Sequence, residues 1–359
     1  MPLDTALTRR LGLAYPIIQA PLAGGGDTPE LVAAVSNAGG IGFIGAAYLS
    51  PTQIAETARA VRAKTARPFG INLFAPVPAP APPGDPAPAL ARVAPFFAEL
   101  GLPAPGLPSS AGLDFREQLS AALESAAAAF SFTLGLLPED AMTGAKARGM
   151  MLLGTATTVA EALLLERAGV DAVVLQGAEA GGHRASFAHA VDQALIGTMA
   201  LVPQAADALS VPVIASGGIM DGRGLAAALA LGAAGAQLGT AFLTCTEAGV
   251  PEAYKAAILA ASEDATRLTR AFSGRMARGI ANRFMAAIDA GDAILPFPLQ
   301  NALTRPLRLA AAQQGKGDYL SLWAGQGVRL ARRQSAAALV TRLAAEAEGV
   351  VARLAGREG

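Results

Sequence analysis

Residues 211–240 read VPVIASGGIMDGRGLAAALALGAAGAQLGT, and this stretch contains the pattern that decides the fold. A short apolar run, residues 211–216, ends in paired glycines, and Asp221 then stands where a helix N-cap is expected. An alanine-rich apolar stretch follows, and a second short apolar run covers residues 236–239. Strand, glycine turn, helix and strand in this order predict a parallel βαβ unit.

The same alternation recurs along most of the chain. The candidate strands are residues 16–22, 41–45, 69–74, 130–135, 150–154, 172–176, 211–216 and 236–239. Eight parallel strands with helices between them are what a closed (β/α)8 TIM barrel requires, so we predict this fold, in the α/β class. An open, doubly wound sheet is the alternative. The absence of a GxGxxG motif after the first candidate strand counts against it.

Two segments do not follow the alternation. Residues 75–112 include APVPAPAPPGDPAPAL and interrupt the third strand-to-helix connection. Their Pro/Ala composition favours polyproline II and predicts an insertion outside the barrel core, either a mobile cover or a peripheral surface excursion. Residues 244–359 follow the last candidate strand and carry helical patterns, so we expect a C-terminal helical extension packed on the outside of the barrel. No linker separates two domains, and residues 1–359 are expected to form one.

Composition and charge exclude several classes of function. Lys plus Arg (28) equals Asp plus Glu (28), so no net charge attracts nucleic acid or an anionic membrane. The longest run without a polar side chain, residues 224–236, is too short and too interrupted by glycine to span a bilayer. The single cysteine, Cys245, is expected to be buried, and its use fits a cytoplasmic protein. Two histidines, one cysteine and no HExxH spacing predict no metal site.

Active sites of barrels lie at the carboxyl ends of the strands. The polar and glycine residues just past the candidate strands are Gln19, Asn72, Gln176, His183, Gly217, Gly218 and Thr240. The paired glycines 217 and 218 before a helix N-terminus, and Gly239 with Thr240 after the last strand, predict a phosphate site. A tight turn that needs glycine only for steric reasons is the alternative.

The loop QGAEAGGHR, residues 176–184, contains the best candidate for a catalytic base. An imidazole ordinarily titrates near neutral pH, so His183 could take a proton from a carbon acid. The alternative is a solvated or structural loop histidine. We assign His189 to structure, and we interpret Glu179 and Arg184 as solvent-exposed charges, because neighbours in a loop need not face the same way.

Amide side chains stand at three candidate strands. Asn72, Gln176 and Gln237 carry both donors and acceptors, which could hydrogen-bond the edge of a planar heterocycle. Satisfied polar residues at a barrel rim are the alternative. No GxSxG or Walker A pattern occurs, which argues against a hydrolase of that type and against a kinase.

With these residues described, the chain resembles the nitronate monooxygenase family, formerly called 2-nitropropane dioxygenases, which are FMN-dependent (β/α)8 barrels. The resemblance rests, in chain order, on PIIQAPLAGG, SNAGGIGFIG, FGINLF, QGAEAGGHR, VIASGGI and AQLGTAFL. QGAEAGGHR is the most specific of these, since ASGGI occurs in many phosphate-binding barrels. The resemblance implies that His183 is the general base. It also implies FMN contacts at Asn72, Gln176, Gly181, Gly218, Gln237, Leu238, Gly239 and Thr240.

The C-terminal segment and the substrate follow from the same resemblance. WAGQG at Trp323 looks like the family's C-terminal region, with Tyr319 and Lys316 as candidate pocket residues. The family oxidises alkyl nitronates with O2 to a carbonyl compound and nitrite, and nitroalkanes and propionate 3-nitronate are further candidate substrates. An FMN-dependent, NAD(P)H-linked reductase of the enoyl-acyl-carrier-protein or quinone type is the alternative enzyme. A non-catalytic flavin or phosphate binder is the alternative outside enzymes.

Overall fold

The computed structural model describes residues 3–77, 84–108 and 113–356. The strands are β1 (Ile17–Gln19), β2 (Phe43–Gly45), β3 (Gly70–Phe74), β4 (Ala129–Thr133), β5 (Met151–Ala156), β6 (Ala172–Gln176), β7 (Gly182–His183), β8 (Val213–Ser216), β9 (Gly235–Leu238), β10 (Thr266–Thr269) and β11 (Ala277–Ile280). The helices are α1 (Ala6–Leu11), α2 (Pro29–Asn37), α3 (Pro51–Arg62), α4 (Ala87–Glu99), α5 (Phe115–Leu123), α6 (Glu139–Ala147), α7 (Val159–Ala168), α8 (Thr198–Ala208), α9 (Gly222–Ala230), α10 (Thr240–Leu243), α11 (Glu252–Ala260), α12 (Arg283–Asp289), α13 (Leu299–Gln313) and α14 (Ala336–Leu354).

Eight parallel strands form the barrel, in the order β1-β9-β8-β6-β5-β4-β3-β2. The ends of this sheet meet, because Gln19 N donates to Ile41 O (3.0 Å) and Ile41 N donates to Ile17 O (3.0 Å). The Gln19 amide also exchanges hydrogen bonds with the backbone of Phe43, accepting from its N (3.0 Å) and donating to its O (3.3 Å). Gln19 therefore braces the closure. The predicted (β/α)8 barrel is confirmed, and every predicted strand overlaps an observed one.

Strand alternation divides the core into an inside and an outside. Side chains such as Ile18, Phe43 and Val174 fill the barrel interior, together with Leu7 and Leu11 of α1. Neighbouring residues on the same strands face outward and pack under the helices. Since Thr5 Oγ1 donates to Ala234 O (2.6 Å), α1 closes the barrel at the amino end of β9. The carboxyl ends of the strands are left for the site.

The C-terminal segment differs from the expected helical extension. The last helix, α14, packs against α9 and α2, and its Leu339 and Leu343 belong to the outer core. This is the position of the eighth barrel helix, so residues 244–335 are an excursion between β9 and α14. The excursion contains strands β10 and β11, which pair with each other, and β11 also pairs with β7. The segment contains the expected helices and, in addition, these two strands, because β7 offers a free edge with which β11 pairs.

A second hydrophobic cluster joins the segment 75–112 to this excursion. Val93 and Phe97 of α4 are buried in it, and the rings of Phe96 and Phe284 have centroids 5.1 Å apart. The Arg92 guanidinium donates to Ala287 O at 2.8 Å. The insertion is thus helical over α4 and packs on the C-terminal segment. Residues 78–83, in the predicted polyproline stretch, and residues 109–112 lie outside the described part. Within the described ranges, no helix is long and apolar enough to cross a membrane.

Candidate active site

Gln176, the last residue of β6, holds the loop that carries His183. Its Nε2 donates to His183 O (3.0 Å), and its Oε1 accepts from Ala185 N (3.0 Å). The predicted position at the end of a barrel strand is correct. Its amide is engaged within the protein, because the loop folds back over the strand that precedes it.

The charges beside His183 are not solvent-exposed, so that prediction was wrong. The Arg184 side chain is fully buried, and its guanidinium donates to Gly177 O (2.6 Å) and Ala194 O (3.1 Å). The half-buried Glu179 carboxylate accepts from Thr198 N (2.9 Å) and Thr198 Oγ1 (2.8 Å). Both side chains satisfy polar groups that the folded loop removes from water.

His183 lies among aromatic rings supplied by the barrel and by the excursion. Ring centroids are 6.3 Å from Phe74 at the end of β3, 5.9 Å from Phe297 and 5.7 Å from Trp323. The Tyr48 ring, just after β2, lies 5.6 Å from Phe74. We call these five residues the His183 chamber.

Burial and nearby cations determine the charge of the His183 imidazole, and its contact with Ser273 bears on the tautomer. Burial and the cations Arg275 and Arg308 lower the pKa of His183 to about 3, so the ring is neutral at physiological pH. Ser273 Oγ lies 2.9 Å from His183 Nε2 and 3.0 Å from Arg275 O. When the hydroxyl donates to Arg275 O, its oxygen accepts from Nε2–H, and the lone pair of the ring is then on Nδ1.

Two glycine-containing turns lie beside the chamber, after β8 and β9. Gly217 (φ +122°) and Gly218 (φ +72°) have left-handed backbone conformations that favour glycine. In the described part of the chain, the N–H groups of Gly218, Gly239 and Thr240 make no backbone hydrogen bond. Unpaired backbone N–H donors in turns that follow two neighbouring strands are suited to bind a phosphate group.

The N-terminus of α9 does not contribute to this site, contrary to the prediction. The Asp221 carboxylate caps the helix by accepting from Arg223 N (3.0 Å) and Gly224 N (3.4 Å). Glu346 of α14 accepts from Gly222 N at 2.9 Å. These carboxylates occupy the helix end, because α14 packs on α9. The open donors are therefore those of the turns alone.

The remaining predicted cofactor residues lie on β3, on β9 and in the loop after β6. Asn72 is buried on β3, and its Nδ2 donates to Ser131 Oγ at 2.8 Å. Gln237 and Leu238 end β9; the Gln237 amide is half-buried, whereas Leu238 is buried. Gly181 lies against the WAGQG loop, where an added Cβ would be 2.6 Å from the Ala324 carbonyl carbon. Glycine at 181 thus permits contact between two backbones.

Tyr319 and Lys316 do not line the His183 chamber. The Tyr319 hydroxyl bonds to the Glu99 carboxylate and to Arg283 Nη1 (3.0 Å). Lys316 Nζ donates to Glu99 O at 3.5 Å. Tyr319 and Lys316 therefore attach α4 to the excursion, and they are not the pocket residues that we predicted. Their partner Glu99 belongs to the insertion.

Comparison with known proteins shows the family to which this chain belongs. The sequence model described as nitronate monooxygenase matches residues 5–346. The chain belongs to the nitronate monooxygenase family. Among curated relatives, a probable nitronate monooxygenase of Bacillus subtilis is 44% identical over 322 residues, which are 89% of this chain and 92% of that protein. One of Staphylococcus saprophyticus is 41% identical over 356 residues, 98% of this chain and 100% of the relative.

Solved structures agree with this assignment to the nitronate monooxygenase family, whose members are oxidoreductases. A nitroalkane oxidase from Streptomyces ansochromogenes superposes with a TM-score of 0.91 at 40% identity, over 98% of this chain and 100% of that one. FabK from Thermotoga maritima gives a TM-score of 0.78 at 28% identity, over 99% of each chain.

Several residues in the candidate site of this nitronate monooxygenase family member were not predicted from the sequence. Tyr48 stands three positions after the end of β2, so the rule that selected residues past each strand could have found it. Ser273, Phe297 and Arg308 come from the excursion, where no motif marks them.

Other reactive groups lie away from the chamber. Burial raises the pKa of the Cys245 thiol to about 12, as expected for a small buried side chain. Over the described ranges, no group of three or more His, Cys, Asp and Glu residues could hold a metal ion.

Proposed function

We propose that the protein oxidises alkyl nitronates with O2 to a carbonyl compound and nitrite, using FMN as its cofactor. The observation that carries this proposal is the neutral His183, enclosed by aromatic rings and adjacent to open backbone donors, in a member of this family. Residues of the barrel and of the excursion converge there. We therefore propose that the chain acts as one FMN-binding domain.

The donor set suits FMN. The N–H groups of Gly218, Gly239 and Thr240 would hold its phosphate. The side chains and backbone proposed to contact the rest of the cofactor are those of Asn72, Gln176, Gly181, Gln237 and Leu238. When bound, FMN supplies the electron acceptor for the nitronate.

His183 would act on the substrate carbon through Nδ1. Its pKa of about 3 means that the imidazole holds a proton weakly, so it is a poor base towards a neutral nitroalkane. A nitronate has already lost that proton. The chamber therefore favours preformed nitronates, and neutral nitroalkanes are expected to react more slowly. Phe74, Phe297 and Trp323 keep water from the reacting carbon.

The FMN-dependent, NAD(P)H-linked reductase is the second candidate function, since enzymes of that type resemble this family. The identity of 41% to 44% to probable nitronate monooxygenases favours the first. Anaerobic mixing separates them. We expect ethyl nitronate to bleach the flavin absorbance quickly, and NADH or NADPH to do so slowly or not at all.

Fast bleaching by a reduced nicotinamide with none by the nitronate would replace the proposed function with the reductase. Retention of flavin without reduction by either would favour a binding protein. Chromatography of the chromophore released on denaturation tests the cofactor, and FAD in place of FMN would contradict that part.

A further inference from the structure

Arg308 on α13 is a partly buried cation that has no anionic partner among the described residues. Its Nη2 donates to Asn301 O (3.0 Å) and Asn301 Oδ1 (2.8 Å), both neutral acceptors. Its Nε is buried and has no hydrogen-bond partner among the described residues. None of the salt bridges found in the described ranges includes it. A buried guanidinium is normally compensated by a carboxylate or a phosphate.

Tyr48 presents a second unsatisfied donor in the same region. Its hydroxyl oxygen is buried and, within the described chain, has no partner. Its ring packs edge-on against Phe74, which in turn packs edge-on against His183. The phenol therefore belongs to the wall of the His183 chamber.

The positive charge of Arg308 acts on both Tyr48 and His183. Arg308 lowers the pKa of Tyr48, which burial nevertheless raises to about 12, and it also lowers the pKa of His183. Burial lowers the pKa of Arg308 itself to about 10, so the guanidinium stays charged at neutral pH. The other charge acting on it is that of Arg305, which is also positive. The region is thus cationic and uncompensated.

We propose that Arg308 and Tyr48 bind a planar anion with two oxygens on the substrate, either the nitronate group itself or a carboxylate on the same molecule. Guanidinium N–H groups and a phenol O–H are suited to such an anion, and its negative charge would replace the missing counter-ion. The inference deepens the proposed function, on which it rests, by assigning the group that recognises substrate charge.

Steady-state kinetics of the FMN-loaded enzyme test this assignment. The substrates are ethyl nitronate, propionate 3-nitronate and nitroethane, and the variants are Arg308→Gln and Tyr48→Phe. Loss of a charge-assisted hydrogen bond predicts a KM for nitronates about 10- to 100-fold higher in Arg308→Gln. The KM for neutral nitroethane should change much less.

The two nitronates distinguish the source of the anion. A rise in KM for both assigns Arg308 to the nitronate oxygens, and a rise for propionate 3-nitronate alone assigns it to the carboxylate. An unchanged KM for both overturns the proposal. Arg305→Gln is the matched control, since it removes the same charge from the exposed side of the same helix. Equal effects of Arg305→Gln and Arg308→Gln would indicate a general field and also overturn it.

Binding of propionate, an inert carboxylate, provides a readout that needs no turnover. Calorimetry should detect propionate binding to wild type and Arg305→Gln, and a loss of about 10-fold or more in Arg308→Gln. If no nitronate is oxidised, the proposed function fails while this measurement still tests the anion site. If Arg308→Gln does not fold, Tyr48→Phe removes one hydroxyl and should weaken propionate binding about 3- to 10-fold; unaltered binding in Tyr48→Phe would then contradict the assignment.

Discussion

The two glycine turns and the His183 chamber lie side by side but are built differently. The turns after β8 and β9 offer backbone N–H groups, and short local motifs encode them. The chamber is lined by side chains from β3, from the loop after β6 and from the excursion between β9 and α14. A change in the turns should therefore abolish cofactor binding outright, whereas changes in the chamber should lower activity by degrees.

The largest effect is expected in the turns. Gly218→Val places a branched side chain at φ +72°, with its Cβ 3.3 Å from Glu179 Cβ. We expect a folded barrel that retains essentially no flavin, measured by absorbance after purification. Gly349→Ala is the control, because a Cβ there meets no atom within 4 Å. A fully loaded Gly218→Val protein would refute the placement of the phosphate.

In the chamber, His183→Asn should slow neutral nitroalkanes by no more than about 10²-fold, the lower end of a general-base contribution, because an imidazole with a pKa of about 3 is a weak base. Preformed nitronates should lose less, because they need no proton transfer. The comparison is made on kcat/KM for nitroethane and ethyl nitronate. Equal losses for both substrates would assign His183 to substrate binding.

A smaller effect is expected at Ser273, which contacts His183 and not the substrate. Ser273→Ala removes the oxygen that accepts from His183 Nε2–H at 2.9 Å. We expect kcat to fall about 10-fold with little change in KM, since one hydrogen bond that orients the ring is lost. Ser273→Thr keeps the hydroxyl and should restore the rate. A purely structural role would instead lower thermal stability without separating kcat from KM.

The smallest effects concern the pH dependence of stability, where His183 in the chamber and Asp27 in the loop after β1 contribute with opposite signs. His183 has a folded-state pKa of about 3 against 6.5 ordinarily, so the unfolded chain binds the extra proton and stability falls as pH decreases from 6.5 towards 3. Asp27 accepts from Leu22 N (3.1 Å) in the loop after β1, and burial raises its pKa to about 6 from 3.8. The folded chain binds that proton more tightly, so stability falls as pH rises from 4 to 6.

Between pH 4 and 6 the two contributions oppose each other. Asp27→Asn should leave the His183 contribution alone, which makes stability rise with pH by up to about 1.4 kcal/mol per pH unit. His183→Asn should give a slope of the opposite sign. Denaturant unfolding at several pH values measures both. Identical slopes in the two variants would show that neither group has the shifted pKa.

The barrel strands and the glycine turns could be predicted from the sequence, because both depend on local sequence patterns. Short apolar runs alternating with helical stretches identified the eight barrel strands, and Gly218 was recognisable because its left-handed backbone conformation restricts residue choice. The pairing of β11 with β10 and with the distant β7 could not be recognised in the sequence. β10 and β11 are four residues each and carry Arg267 and Arg278, so their alternation is weak.

The missed parts of the chamber share one physical reason. The burial of Arg184 could not be predicted, because its partners are backbone carbonyls, which every residue type carries. Arg308 and Ser273 reach the chamber from positions more than 80 residues along the chain from His183. Only the folded excursion brings them there.

The chain has a single tryptophan, Trp323, and it forms one wall of the His183 chamber, 5.7 Å from the His183 ring. All indole fluorescence of the protein therefore originates beside the proposed reaction centre. A flavin held there would accept that excitation energy and quench the emission. Cofactor loading and release can thus be followed in real time on the unlabelled protein, with no reporter added and no substrate consumed.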